Sequence, residues 1–470
     1  MEPQGTQRKT LGPQEKRTNG TEIAGWELDS VVEGEAVVGG EGLLPTRAQR
    51  EGSDDSLHFF KLPNFSVFSV VIFRQYNRKK RGQKMFEYFP ENYVWSLATM
   101  GAINGGGAIS EIDEACRPLR EASVRNDVFA QQAWYESWMK IAERVAAQAS
   151  THEGAGQLLS AGRKYLRATV YYLAAERIIS HRDPRKMLAY RRALAVFKKG
   201  LQFRKEPVEW VEVPFKDKSL PALFCPAPVK GHGPCIIHLD GFDVMKEIIY
   251  LRTAGEYRRR GISLLIVDHP GVGEALRLRN MYGGPDTEVP AAACVDYLET
   301  RSEVDPQRIG IGGISLGGYY APRAAAFEKR LKCSFGWGGI WDFGDLMSKF
   351  LSGKGGEPSV PGMVEHAKWV FGKEKVEEVV EVTRQMTLAG VADKITCPLL
   401  IAHGENDRQV PLWHAEKTIE AAVNSPGRKL KVFTLDEGGA EHCQADNNAM
   451  VVDYIADWVV EILGGDLKGI

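Results

Sequence analysis

The sequence has little of what marks several large classes of protein. Its 60 basic and 61 acidic residues leave a formal net charge of -1, so no excess of positive charge points to nucleic acid as a partner. No run of about eighteen apolar residues is present, and residues 1–20 lack the apolar core of a secretory signal. These absences predict a cytoplasmic protein without a nucleic-acid or membrane partner.

Cysteine pairs and the common cofactor motifs are missing as well. The seven cysteines are widely spaced and none forms a C-x-x-C pair, which predicts reduced thiols rather than disulfides or a zinc site. No G-x-x-x-x-G-K-[ST] or H-E-x-x-H motif occurs, and the glycine pattern of dinucleotide binding is broken at Ser315 and Leu276. The sequence therefore carries no signal for a bound metal or nucleotide.

The chain divides into three regions by composition and periodicity. Residues 1–84 are rich in Gly, Glu, Arg and Thr without sustained periodicity, which predicts a disordered or non-native N-terminal extension. Residues 85–205 repeat apolar residues at spacings of three and four, which predicts a helical accessory domain with helices over 122–149, 161–180 and 184–199. Its aromatic residues could line a substrate cavity, but their helical spacing favours a core role: Trp95, Trp134, Tyr135, Trp138, Tyr165, Tyr171 and Tyr172.

Residues 206–470 alternate between apolar strands and amphipathic helices. The predicted strands are 210–213, 222–225, 235–239, 263–268, 309–314, 333–337, 399–403 and 431–435. This alternation predicts an α/β fold with a mostly parallel sheet covered on both faces. Ligand sites in such sheets lie at the carboxyl ends of the strands. The segment of about 341–395 is helical in character and is predicted to be a lid insertion.

A nucleophile elbow is predicted at Ser315. The serine lies in Gly313-Ile314-Ser315-Leu316-Gly317, directly after an apolar strand and before a helix. The tight turn from strand to helix requires small residues two positions before and two after the serine, and both are glycine here. The turn then forces the hydroxyl out of the sheet.

A serine nucleophile needs a histidine base and a carboxylate that orients it, and in this fold they follow in the order serine, acid, histidine. Asp407 follows a strand and is the predicted acid, with Glu405 a close competitor and Asp436 a more distant one. His442 lies on a glycine-bearing loop after the last strand and is the predicted base. The other histidines near strand ends or after the acid are His238, His269, His403 and His414.

The oxyanion hole is predicted to use two backbone amides. One is the amide of Leu316, next to the nucleophile, and the other is the amide of Phe242 in the loop after an earlier strand. The alternative for the loop of residues 240–243 is a plain turn before a helix. Nucleophile, base and oxyanion donors would then all come from the chain, so no cofactor and no metal are expected.

The sequence resembles the α/β-hydrolases grouped with dihydropseudooxynicotine hydrolase and with the hydrolases of fungal polyketide clusters, including the fusarin and cytochalasan types. The resemblance begins near Phe86 and continues to the C-terminus. It rests on residues 95–111, 134–138, 165–168 with 171–172, 183–185, 268–274 and 438–442. Together these motifs are far more specific than G-x-S-x-G alone.

The resemblance implies an α/β-hydrolase fold with an N-terminal helical cap, spanning residues 85–205 and 206–470. It also implies a triad at Ser315, Asp407 and His442, bulky ketone or polyketide-like ester substrates, and a possible homodimer. Two acidic residues are possible auxiliaries, Glu274 and Asp240. For Glu274, tying down a loop is favoured over assisting catalysis.

These observations predict a serine-dependent hydrolase that cleaves a carbon–carbon or ester bond in a medium-sized, carbonyl-bearing, polyketide-like secondary metabolite. Two alternatives remain open at this point. The same site could promote cyclisation or hold a polyketide intermediate without hydrolysis, or the protein could be a broad carboxylesterase. A large helical cap predicts poor activity on short-chain esters.

Overall fold

The computed structural model describes residues 31–32, 70–71, 86–125 and 127–465. Val31–Val32 (β1) and Val70–Val71 (β2) form a short antiparallel pair within a unit of their own. Apart from these four residues, the predicted N-terminal extension lies outside the described part of the chain. The other described residues belong to a second unit.

The N-terminal part of this second unit is helical. Its helices are α1 (Tyr93–Asn104), α2 (Ile109–Cys116), α3 (Arg120–Ser123), α4 (Val128–Gly154), α5 (Leu158–Ile178) and α6 (Pro184–Arg204). The long helix predicted over 122–149 begins later, at Val128, because the Asp127 side chain accepts a hydrogen bond from the amide of Ala130 and caps a new helix there.

Aromatic side chains form the core of this helical part. Trp134 and Trp138 are completely buried. The ring of Trp134 lies 4.8 Å from that of Trp95 and 5.4 Å from that of Trp138, which in turn lies 5.9 Å from Tyr171. Such tilted pairs add to the large apolar area that each ring buries. The helical spacing of the aromatics therefore reflects core packing.

The remainder contains an eight-stranded sheet. Its strands are β3 (Glu209–Phe215), β4 (Lys218–Cys225), β5 (Gly233–Leu239), β6 (Ser263–Val267), β7 (Val304–Ile314), β8 (Ser334–Trp337), β9 (Leu399–Gly404) and β10 (Arg428–Phe433). The strand order is β10-β9-β8-β7-β5-β6-β4-β3. Neighbours pair in parallel except β3 with β4 and β4 with β6. The predicted mostly parallel sheet is confirmed.

The last strand lies closer to the N-terminus than the predicted range of 431–435. Among the described strands β10 lies at the edge of the sheet and pairs with β9 alone along Arg428–Phe433, and Arg428 and Lys429 at its start are exposed. Because an edge strand has one unpaired side and tolerates charged residues, the apolar pattern marks its limits poorly.

Helices cover the sheet and fill its connections. They are α7 (Lys246–Arg259), α8 (Gly273–Arg279), α9 (Glu288–Glu299), α10 (Gly317–Phe327), α11 (Phe343–Leu351), α12 (Met363–Phe371), α13 (Val376–Arg384), α14 (Trp413–Ala421) and α15 (Asn448–Leu463). Three of them, α11 to α13, occupy the segment predicted as a lid. All seven cysteines are buried and unpaired. Within 86–125 and 127–465, no helix combines the length and apolar composition needed to cross a bilayer.

Candidate active site

The predicted catalytic side chains come from loops at one edge of the sheet. Strands β5 to β10 run parallel, so their carboxyl ends meet at that edge. Ser315 directly follows β7, Asp407 lies three residues after β9, and His442 lies in the loop after β10. The topology thus brings together residues that are far apart in the sequence.

Ser315 adopts the backbone conformation of a strained elbow. Its φ is +56°, which is unusual for a residue with a side chain. The Ser315 amide donates a 2.7 Å hydrogen bond to the carbonyl of Trp337 and holds the turn. A Cβ at Gly317 would lie 2.9 Å from the carbonyl oxygen of Leu239. The second glycine of the motif is therefore required by the close approach of β5.

Ser315, His442 and Asp407 form a continuous line of hydrogen bonds and are called the Ser315 triad below. The Ser315 Oγ lies 2.9 Å from His442 Nε2, and His442 Nδ1 lies 2.7 Å from Asp407 Oδ2. The other oxygen of Asp407 accepts hydrogen bonds from the amides of Gln409 and Val410 at 2.9 and 2.8 Å. These amides fix the carboxylate in its orientation toward the histidine.

Charge interactions in the Ser315 triad favour an ionised acid beside the histidine. Burial alone would raise the pKa of Asp407, but the charge and hydrogen bond of His442 hold it below its ordinary value. Burial alone would lower the pKa of His442, but the Asp407 carboxylate outweighs it and raises that pKa well above its usual range. An ionised Asp407 only accepts, so Nδ1 carries a proton and Nε2 of the neutral ring can accept from the Ser315 hydroxyl.

The competing residues serve other contacts. Glu405 accepts a hydrogen bond from the Leu435 amide. His403 is buried beneath Asp407, where its Nε2 donates to the carbonyl of Val410 at 3.0 Å. His414 lies on α14, and burial lowers its pKa to about 4. Among these candidates, only Asp407 and His442 reach the line of hydrogen bonds that ends at Ser315.

The loop after β5 lies against the serine, as an oxyanion-hole loop should. A Cβ at Gly241 would lie 3.0 Å from the Cβ of Ser315 and 2.8 Å from the carbonyl oxygen of Ile314. The next residue, Phe242, is buried, and its carbonyl accepts a hydrogen bond from His366 Nε2 at 3.1 Å. The amides of Phe242 and Leu316 stay the predicted oxyanion donors.

The two possible auxiliary residues lie in or next to a second buried group of charges, the Lys246 cluster, which consists of Lys246, Glu247, Asp268 and Glu274. The Lys246 Nζ contacts the three carboxylates at 2.7 to 2.9 Å. Asp240 lies nearby, and burial followed by the charge of Asp268 raises its pKa well above its usual value. Neither Asp240 nor Glu274 lines the cavity beside Ser315.

Sequence reasoning assigned no role to two residues that flank His442. Glu441 is buried, and its carboxylate accepts hydrogen bonds from Asn406 Nδ2 at 2.8 Å and from Arg408 Nε at 2.9 Å. It therefore joins the loop that carries Asp407 to the loop that carries His442. On the other side, the Cys443 Sγ lies 3.4 Å from His442 Nε2. The available signals were the adjacency of both residues to the predicted base and, for Glu441, its place in the motif of residues 438–442.

A cavity extends from Ser315 and His442 between the helical part and the sheet part. Its apolar lining includes Leu97, Val170, Leu173, Met245 and Ile248. None of the seven aromatic residues considered as possible lining contributes to it. Its polar side chains include Glu176, Arg177, Asp243, Arg252 and Gln409. An apolar cavity with a few polar groups is typical of a site for a small organic molecule.

Comparison with known proteins agrees with this architecture. A sequence profile of the prolyl oligopeptidase family matches residues 290–466. The 20-hydroxy-prefusarin hydrolase of Gibberella moniliformis is 30% identical over 366 residues, which cover 70% of this chain and 87% of that protein. The chain belongs to the α/β-hydrolase family.

One further relative and one crystal structure extend this similarity. The 2,6-dihydropseudooxynicotine hydrolase of Paenarthrobacter nicotinovorans is 27% identical, with 70% of this chain and 84% of that protein covered. A crystal structure of 2,6-dihydroxy-pseudo-oxynicotine hydrolase superimposes with a TM-score of 0.64 at 26% identity, covering 77% of this hydrolase and 95% of that chain. The similarity thus extends over the helical part as well as the sheet, as the sequence motifs predicted.

Proposed function

We propose that this protein is a serine-dependent hydrolase that cleaves a carbon–carbon or ester bond next to a carbonyl group in a polyketide-like secondary metabolite. The observation that carries the proposal is the 2.9 and 2.7 Å line from Ser315 through His442 to Asp407, at an elbow that faces an apolar cavity. The similarity to a 20-hydroxy-prefusarin hydrolase supports a substrate of this class.

In the proposed reaction, Ser315 Oγ attacks the carbonyl carbon while His442 Nε2 takes the hydroxyl proton. The Asp407 carboxylate stabilises the imidazolium that forms, and the amides of Leu316 and Phe242 donate to the oxyanion. Collapse of the intermediate breaks the bond to the leaving group, which receives the proton from His442. Water then attacks the carbonyl carbon of the acyl-enzyme while His442 takes its proton, and His442 returns that proton to Ser315 Oγ as the acid is released.

We further propose that residues 85–205 are a cap over the catalytic domain of residues 206–470 and that 341–395 act as a lid. The cavity lining supports this division, because Leu97 and Val170 come from the helical part while Met245 and Ser315 come from the sheet part. Residues from both parts would therefore determine which substrate fits in front of the serine.

The proposed nucleophile is tested by the intact mass of the protein after exposure to a fluorophosphonate. One adduct on the wild-type protein and none on Ser315→Ala is the expected result, because only an activated serine reacts with this probe. Labelling of Ser315→Ala, or no labelling of either protein, would contradict the proposal. Circular dichroism of Ser315→Ala checks that the fold is retained.

The hydrolytic outcome is tested separately with p-nitrophenyl octanoate in water enriched in oxygen-18. Hydrolysis through an acyl-enzyme places one solvent oxygen in the released octanoate, which mass spectrometry detects. For a natural substrate of this class, turnover without oxygen-18 incorporation would instead indicate ring closure by a nucleophile within the substrate.

A further inference from the structure

One wall of the cavity carries charged side chains, and most of them already have partners. The Arg177 guanidinium contacts Asp243 Oδ2 at 2.6 Å. The Glu176 carboxylate is completely buried between Lys186 and Arg277, at 2.6 and 2.8 Å. The two carboxylates on this wall are therefore neutralised by cations of the protein itself.

Arg252 on α7 differs from these residues because it lacks a carboxylate partner. Within 86–125 and 127–465, no Asp or Glu oxygen lies within 4.0 Å of its guanidinium nitrogens. Its Nε is inaccessible to solvent and has no hydrogen-bond partner in this part of the chain. One of its terminal nitrogens donates a long, 3.4 Å hydrogen bond to the carbonyl of Gly101.

The guanidinium remains charged despite this environment. Burial, followed by the nearby charge of Arg177, lowers the pKa of Arg252 to about 10, which still leaves it protonated at neutral pH. Arg252 is half-buried, and a charge that is partly withdrawn from water carries a cost unless it is paired and hydrogen-bonded. A role limited to holding Gly101 does not account for it, because a neutral donor would make the same weak hydrogen bond without that cost.

The local charge balance also favours an additional anion. On this wall Asp243 pairs with Arg177 and Glu176 pairs with Lys186 and Arg277, so neither carboxylate is left to neutralise Arg252, which has no carboxylate partner in the described part of the chain. Guanidinium groups bind carboxylates through two parallel hydrogen bonds, and Arg252 has the free donors for that geometry.

We propose that Arg252 binds a carboxylate of the substrate in the cavity that Ser315 faces. The proposal rests on the proposed function and adds a substrate class to it: an acyl compound with an apolar body and an anionic group remote from the bond that breaks. Arg252 would place this group while the apolar lining holds the remainder of the molecule, so it acts as a specificity-determining residue.

The test is isothermal titration of octanoate and of 1-octanol into Ser315→Ala and into the same protein with Arg252→Met. The two ligands share their apolar chain and differ in charge. Octanoate should bind Ser315→Ala at least tenfold more tightly than 1-octanol, and Arg252→Met should abolish this preference. Arg252→Lys, which keeps the charge without the planar fork, should retain part of it. Arg182→Met removes an exposed arginine outside the cavity lining and should leave both affinities unchanged.

Equal binding of the two ligands to Ser315→Ala, no measurable binding of octanoate, or an unchanged octanoate affinity in Arg252→Met would each overturn the proposal. Melting temperatures of all variants ensure that folded protein is compared. Because the titrations use a protein without the serine hydroxyl, they do not depend on nucleophilic catalysis. A wild-type protein that fails to react with the fluorophosphonate would contradict the proposed function and leave the carboxylate site standing. A wild-type protein that reacts, combined with equal binding of octanoate and 1-octanol, would overturn the carboxylate site and leave the proposed function standing.

Discussion

The Ser315 triad and the Lys246 cluster are both buried groups of polar and charged side chains at the carboxyl edge of the sheet, yet they differ in what surrounds them. In the Lys246 cluster, one ammonium contacts three carboxylates and none of these groups lines the cavity. In the Ser315 triad, the hydrogen bonds follow one line and end at a hydroxyl that does line it. Similar ion pairing therefore accompanies a sealed set of contacts in one place and, in the other, a line of hydrogen bonds that we propose as a path for a proton.

The backbone around the Lys246 cluster also differs from the backbone around the Ser315 triad. Asp268 accepts hydrogen bonds from the amides of Lys246 and Glu274 at 2.8 and 2.7 Å, so it fixes the starts of α7 and α8. Ser315 instead has a strained φ of +56°. Strain that persists beside a cavity is typical of functional sites, whereas buried ion pairs that hold helix starts in place are typical of structural ones.

The largest expected effect comes from Asp407→Asn, which breaks the line of the Ser315 triad. We expect kcat on p-nitrophenyl octanoate to fall about ten-thousandfold, because the histidine loses its orientation and the partner of its cation. In the proposed mechanism His442 must be neutral to accept the proton, so activity should rise with pH through its pKa. Asp407 raises that pKa, so the acidic limb of the pH profile should move to lower pH in the variant.

The pH profile separates this role from a structural one. An unchanged midpoint together with a lower melting temperature would mean that Asp407 only supports the fold, and it would remove the contrast between the two buried groups.

The next largest effect is expected in the Lys246 cluster. Lys246→Met leaves three carboxylates around an apolar side chain, so the free energy of unfolding should fall by about 3 to 5 kcal/mol. The deficit should shrink at acid pH, because the unpaired carboxylates then become protonated. Urea unfolding measures both effects. Lys199→Met removes an exposed lysine that is paired with Glu153 and should cost less than about 1 kcal/mol. Equal losses in the two variants would contradict a structural role of the Lys246 cluster.

A smaller effect is expected when the two loops of the triad are separated. Glu441→Gln places an amide nitrogen or a neutral oxygen opposite Arg408 Nε and weakens the link between the loops of Asp407 and His442. A displacement of even about 1 Å can cost a hundredfold in rate, so we expect kcat to fall about ten- to a hundredfold with little change in KM. Glu437→Gln, at an exposed glutamate of the same loop, is the matched control. A change confined to KM would argue against a positioning role.

Much of this architecture could be predicted from the sequence, for identifiable physical reasons. The inner strands are apolar on both faces, so each appears in the sequence as an apolar run. The edge strand contains Arg428 and Lys429, so the sequence predicts its limits only approximately. Parallel strands bring their carboxyl ends to one edge, which is why the order of Ser315, Asp407 and His442 predicted side chains that the structure places in contact.

The remaining features depend on contacts that no local pattern encodes. Arg252 lies on a helix among other basic residues, and its lack of a carboxylate partner emerges only when residues from distant parts of the chain surround it. The role of Glu441 likewise depends on Asn406 and Arg408, which precede it by more than thirty residues. Paired and unpaired charges look alike in a sequence.

The smallest effect is expected at Glu274, which connects the Lys246 cluster to the protein surface. Its carboxylate contacts Lys246 at 2.9 Å and Arg279 at 2.7 Å. In Glu274→Gln one oxygen still accepts a hydrogen bond and only the charge is lost. We expect the free energy of unfolding to fall by about 1 kcal/mol and kcat to stay within about threefold of the wild-type value, as measured by urea unfolding and by turnover of p-nitrophenyl octanoate.

Glu274→Gln sharpens the comparison between the Lys246 cluster and the Ser315 triad, because it changes an acid that is close to the sheet edge but absent from the cavity lining. If Glu274 assisted a proton transfer, loss of its charge would lower kcat by about a hundredfold or more and leave stability nearly unchanged. If it only ties α8 to the start of α7, stability alone should respond. The ratio of the two losses, compared with the same ratio in Asp407→Asn, therefore decides whether burial beside the catalytic edge is enough to make a carboxylate catalytic, or whether it must also reach the cavity.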